Sequence, residues 1–121
     1  MRRILVVDDE PDILQLLADL LRDEGYEVLG AHDGVAAMQV LAQTVVDLVI
    51  TDTMMPRSDG VKFTRSMRER RELRDIPVVL MSAADRPGLD GLGTVSFLPN
   101  PFDLVSLLDA VEAVLGQVTN D

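Results

Sequence analysis

Three short runs of unbroken apolar residues, at 4–7, 48–50 and 78–81, constrain this chain more than any other feature. A strand with one face in water alternates apolar and polar residues, so a strand without that alternation must be covered on both faces. Between the runs the period changes. Ile13, Leu14, Leu17, Leu20 and Leu21 recur at helical spacing, opened by Pro11 and followed by Gly25, which suit a first helical turn and a helix stop. Asp9, Glu10 and Asp12 stand at the positive end of that helix dipole.

The same alternation continues to the end of the chain. Strands are predicted at 3–7, 26–31, 47–51, 77–81 and 94–98, and helices at 36–42 and from about 61 to 71. Asp103 is predicted to cap a last helix that turns Leu104, Leu107, Leu108, Val111, Val114 and Leu115 inward. Residues 84–93, dense in Asp, Gly and Pro, read only weakly as helix. Strands alternating with helices predict an α/β fold, a parallel sheet with helices on both faces. Residues 1–121 are expected to form one domain of five such units.

In open parallel sheets, ligands bind beyond the carboxyl ends of the strands. Asp8 and Asp9 follow the first strand, Asp52 ends the third, Ser82 ends the fourth and Asn100 follows the fifth. Singly, each has a bland role: Asp-Asp-Glu before a helix caps it, Asp52 forms a turn, and Ser82 caps a helix. Together they build an oxygen-rich pocket suited to a hard cation, Mg²⁺ ahead of softer transition metals.

Charge and composition exclude other classes. The formal charge is −10, and from residue 4 to 56 a single basic side chain, Arg22, faces eleven carboxylates. Direct nucleic-acid binding by such a domain is not expected. There is no cysteine, hence no disulfide framework and no thiolate metal site. No apolar run approaches the ~20 residues that span a bilayer, and the amino terminus turns acidic at Asp8-Asp9 where a secretory signal would stay apolar. A soluble, cytoplasmic protein without membrane contact is expected. His32 is expected at the surface, and the arginine-rich segment 65–74 as a solvated helix face.

Four blocks then occur in order: Val6-Val7-Asp8-Asp9-Glu10-Pro11; Thr51-Asp52-Thr53-Met54-Met55-Pro56 with Asp59-Gly60; Met81-Ser82-Ala83; and Pro99-Asn100-Pro101-Phe102. Together they resemble the signature of response-regulator receiver domains over nearly the whole chain. The resemblance implies a doubly wound, flavodoxin-like five-stranded parallel sheet of order 2-1-3-4-5. It also implies transfer of a phosphoryl group to Asp52 from a sensor histidine kinase, a phosphotransfer protein or a small phosphodonor. By position, Asp8, Asp9, Asp52 and the Met54 backbone carbonyl would hold Mg²⁺. Ser82 would offer its hydroxyl and Ala83 its backbone N–H to the phosphoryl group, with Ser82 and Phe97 as the switch pair. Such a domain acts on a partner, on an attached output domain or as a homodimer, and is no enzyme beyond its own phosphorylation and slow dephosphorylation.

Two departures stand out. Asn100 occupies the position where the family normally has lysine, and the chain's only lysine is Lys62. The stretch from Ser82 to Asn100 is short and contains Pro87, Gly88, Gly91 and Gly93, which implies an abbreviated or irregular fourth helix. Both favour an alternative, a pseudo-receiver that binds partners without phosphate. An aspartyl-phosphate hydrolase would want a second acid two residues after the nucleophile, where Met54 stands. A nucleotide-binding loop would want a glycine cradle in the first loop, and there is none.

Overall fold

The computed structural model describes residues 2–52, 60–82, 95–99 and 103–115. Five strands, β1 (Arg3–Val7), β2 (Glu27–Ala31), β3 (Leu48–Asp52), β4 (Val78–Ser82) and β5 (Val95–Pro99), alternate with helices α1 (Pro11–Asp23), α2 (Gly34–Gln43), α3 (Gly60–Arg68) and α4 (Leu104–Leu115). The strands form one parallel sheet in the order β2-β1-β3-β4-β5. Residues 83–94, which include the abbreviated helix expected from the sequence, lie outside the described residues.

The unbroken apolar runs are explained by how the sheet is covered. Successive side chains on a strand point to opposite faces, and both faces here are buried. Ile4, Val6, Leu48, Ile50, Val79 and Met81 pack with Leu17 and Leu21 of α1 and with Leu107, Val111 and Leu115 of α4. The intervening Leu5, Val7, Val49, Val78 and Leu80 pack on the other side with Ala37 and Leu41 of α2 and Phe63 and Met67 of α3. A charged residue at any of these positions would enter one core or the other.

The helix ends follow local chemistry. Pro11 opens α1, and Gly25, at φ 97°, follows its last turn, a left-handed conformation that glycine adopts without steric cost. Asp33 accepts a 2.8 Å hydrogen bond from the Ala36 N–H at the start of α2, and Asp103 accepts one of 2.7 Å from Ser106 at the start of α4. That contact holds the Asp103 carboxyl below its usual range.

Two expectations are corrected. Leu104 is not inward but 46% exposed. Helix side chains tilt toward the amino terminus, so a first-turn residue reaches past the start of its own helix; the buried stripe begins at Leu107. The third helix ends at Arg68, not near residue 71. Arg68 curls over the following turn, its Nη1 donating to the carbonyls of Ile76 at 2.7 Å and Arg74 at 2.9 Å. Those bonds stabilise a turn that drops the buried Leu73 into the core beneath α3.

A hydrogen bond from a charged donor is worth ~1.5–3 kcal/mol, so Arg68→Met is expected to lower the urea midpoint by the equivalent of ~1–2 kcal/mol. An unchanged midpoint would show that the turn is held by the burial of Leu73 alone.

Candidate functional site

Strand register builds the site. Val7 of β1 lies opposite Thr51 of β3, so the residues one step further, Asp8 and Asp52, emerge side by side at the carboxyl edge. Asp52 is in turn opposite Met81 of β4, which brings Ser82 to that edge too. The chain reverses its direction of sheet building between β1 and β3, the point where parallel sheets open a crevice for ligands. The three carboxylates of Asp8, Asp9 and Asp52 each offer an oxygen, all lying within 4.8 Å of one another.

The three are held differently. Asp8 is buried, at 2% exposure. Its backbone N–H donates to Ala31 of β2 at 3.1 Å, and its Oδ1 accepts from the Glu10 N–H at 2.9 Å. That side-chain turn bends the chain out of β1 and into α1, leaving Asp9 half-buried at the mouth. Asp52 is also half-buried, and its carbonyl accepts from the hydroxyl of the fully buried Thr51 at 3.1 Å. Thr51 was not singled out in the sequence; a hydroxyl inside an otherwise apolar strand was the available signal.

Burial pushes the Asp8 carboxyl up to about 6, with further upward push from the charges of Asp52, Asp9 and Glu10, against the lowering effect of the Glu10 N–H. This is the electrostatic cost of gathering carboxylates at one edge. Among the described residues, Arg2 pairs with Asp47 at 3.9 Å and Arg3 with Glu27 at 3.2 Å, at the amino ends of the strands. A cluster of hard oxygen donors with surplus negative charge is the donor set that a divalent cation such as Mg²⁺ accepts.

Ser82 ends β4, and Phe97 stands on β5 in register with Leu80. Met54, Ala83 and Asn100 lie outside the described residues. His32 is exposed, as are Arg65, Arg70, Arg71 and Arg74. No described helix is long and apolar enough to cross a membrane.

The profile of the response regulator receiver domain matches residues 4–112. The chain belongs to this family. It is therefore similar to signal-transduction modules of two-component systems. Response regulator MprA of Mycobacterium sp. (strain KMS) is 38% identical over 124 aligned residues, covering 98% of this chain and 53% of that protein. MprA of Mycobacterium ulcerans is 39% identical over 118 residues, covering 93% and 50%. The chain thus spans about half the length of these relatives. Among solved structures, Vibrio cholerae chemotaxis protein CheY4 superposes with a TM-score of 0.89 at 29% identity, over 95% of this chain and 99% of that one. Response regulator TrrA of Thermotoga maritima, solved in complex with Mg(2+)-BeF, superposes with a TM-score of 0.84 at 32% identity, over 95% and 100%.

The raised Asp8 value makes a pH prediction for the metal-free receiver domain. A carboxyl at 3.8 in the unfolded chain and about 6 when folded binds its proton more tightly in the folded state. Its stabilising contribution is complete below about 3.8 and is lost as pH rises through about 6. Between about pH 5 and 7.5 the wild type is expected to lose ~1–2 kcal/mol relative to Asp8→Asn, after allowance for solvent screening at the open edge. Thermal midpoints of the two proteins across that range provide the measurement; parallel curves would show that Asp8 does not titrate there.

Proposed function

We propose that Asp52 is a phosphoacceptor and that its phosphorylation switches a partner or an attached output domain. The observation that carries this is the gathering of Asp8, Asp9 and Asp52 within 4.8 Å at the point where the sheet changes direction. In the step proposed, an Asp52 carboxylate oxygen attacks phosphorus and forms an acyl phosphate. The bond from phosphorus to the donor breaks, and its electron pair leaves with the imidazole of a phosphohistidine or with acetate. The donor is a sensor histidine kinase, a phosphotransfer protein or acetyl phosphate, and the domain acts in the cytoplasm. It turns over no external substrate.

Asp8, Asp9, Asp52 and the Met54 carbonyl would hold Mg²⁺, which supplies neutralising charge to the carboxylates and to the phosphoryl oxygens. Asp9 stands at the mouth with its carboxylate available to a ligand. Asp8, buried and tied to the Glu10 N–H, positions the first loop and adds charge from behind. The Ser82 hydroxyl and the Ala83 N–H would receive phosphoryl oxygens, and reorientation of Phe97 would carry the change outward.

Asn100 supports the second reading, an interaction module without phosphate. Asparagine donates a hydrogen bond but brings no positive charge. Loss of a hydrogen bond to a charged group, worth ~1.5–3 kcal/mol, corresponds to a ~10–100-fold effect, which slows the reaction without abolishing it. Incubation with Mg²⁺ and acetyl phosphate, read by intact mass, is expected to add one phosphoryl group to the wild type and none to Asp52→Asn. Asn100→Lys is expected to raise the rate ~10-fold or more. A wild type that stays unmodified while binding Mg²⁺ would replace the phosphoacceptor reading with the interaction module.

A further inference from the structure

Helices α2 and α3 lie side by side on one face of the sheet without closing over each other completely. Between them runs an open groove of about 470 Å³. Its apolar lining comes from Val35, Met38 and Ala42 of α2 and Phe63 of α3, and two cations, Lys62 and Arg70, also line it. Among the described residues its lining contains no carboxylate. That is unusual in a chain with a formal charge of −10.

A second feature coincides with the groove. All ten residues of α2, Gly-Val-Ala-Ala-Met-Gln-Val-Leu-Ala-Gln, are uncharged, whereas a helix facing only water normally carries charges on its outer face. Val35 is 64% exposed, and Gln39 and Ala42 are exposed beside it. The opposite wall carries Lys62 and Arg70, within a segment, residues 62–75, that holds six of the eleven basic side chains and only three acidic ones. The groove therefore has an apolar, uncharged wall and a cationic wall, on a molecule that repels anions over most of its length.

We propose that this groove docks an acidic, amphipathic segment of a partner protein. Apolar side chains of the segment would sit over Val35, Met38 and Phe63, and its carboxylates would pair with Lys62 and Arg70. Both parts of the recognition are needed. Apolar contact alone would select any hydrophobic peptide, and two exposed ion pairs alone contribute little. Their juxtaposition selects a helix with acids and apolar residues on one face, a recurring mode of groove recognition. The site uses none of the carboxylates at the sheet edge, so its test is read separately from that of the phosphoacceptor.

The probe is a fluorescently labelled acidic peptide of about twelve residues, with Leu and Phe at helical spacing between glutamates, titrated with the whole chain and followed by anisotropy. Saturable binding is expected that weakens with added salt. Val35→Glu, Lys62→Glu and Arg70→Glu are each expected to weaken it ~10-fold or more, while Asp52→Asn leaves it unchanged. Should Val35→Glu lose its fold by circular dichroism, the two charge reversals carry the comparison. Absence of saturation, equal affinity in the charge-reversed variants, or equal affinity for a peptide with glutamines in place of glutamates would each overturn the proposal. So would self-association of the chain that the same substitutions abolish, since the occupant would then be a second copy.

Discussion

The pairing of Val7 with Thr51 is the constraint on which the site depends. Because both faces of the sheet are buried, β1 and β3 cannot slip by one residue without exchanging the two cores. Ile4, Val6, Leu48 and Ile50 belong to one side and Leu5, Val7 and Val49 to the other. Hydrophobic packing thus fixes the register, and the register fixes the separation of Asp8 from Asp52. The acidic cluster is held together by the apolar core beneath it, against the mutual repulsion of its own charges.

That arrangement also accounts for how much of the molecule was legible beforehand. The central strands β1, β3 and β4 were readable because an apolar run too short for a helix and bounded by turn residues fits a strand buried on both faces, and their boundaries shift by only a residue or so. The carboxylate edge was readable for a related reason: parallel strands all end on the same side, so residues just past each apolar run must converge. The end of α3 was not readable, because it is set by Arg68 reaching forward to Arg74 and Ile76. An arginine in an arginine-rich stretch gives no sign of which carbonyls it will find. Leu104 misled for a different reason: helical spacing assigns a face but says nothing of a first turn that overhangs the packing surface. The groove beside α2 had a signal, ten uncharged residues in an acidic chain, that acquires meaning only once α3 is placed opposite it.

Charge is distributed over the fold in three zones, and each has a physical consequence. At the amino edge of the sheet, Arg2 and Arg3 pair with Asp47 and Glu27, and the Arg3 N–H adds a 2.8 Å bond to Asp47. Those acids are satisfied and tie the first strand to its neighbours. At the carboxyl edge the acids crowd one another, and the burial of Asp8 makes ionisation there costly. The excess of basic side chains is placed instead along α3 and the turn after it, beside the uncharged α2.

A lysine at residue 100 would bring a permanent positive charge to the end of β5; Asn100 brings none. Under the phosphoacceptor reading, more of the neutralisation of Asp8, Asp9 and Asp52 then falls to a bound cation. A permanent cation lowers a carboxylate cluster's affinity for metal while it assists phosphoryl transfer, so its replacement by asparagine acts in opposite senses on the two steps. Metal binding gains because one competing positive charge is gone. Transfer loses because the phosphoryl oxygens have one fewer charged donor. Asn100→Lys should therefore separate the two, weakening the apparent affinity for Mg²⁺ while accelerating phosphorylation at saturating metal. A site that had merely decayed would offer no reason for them to move apart.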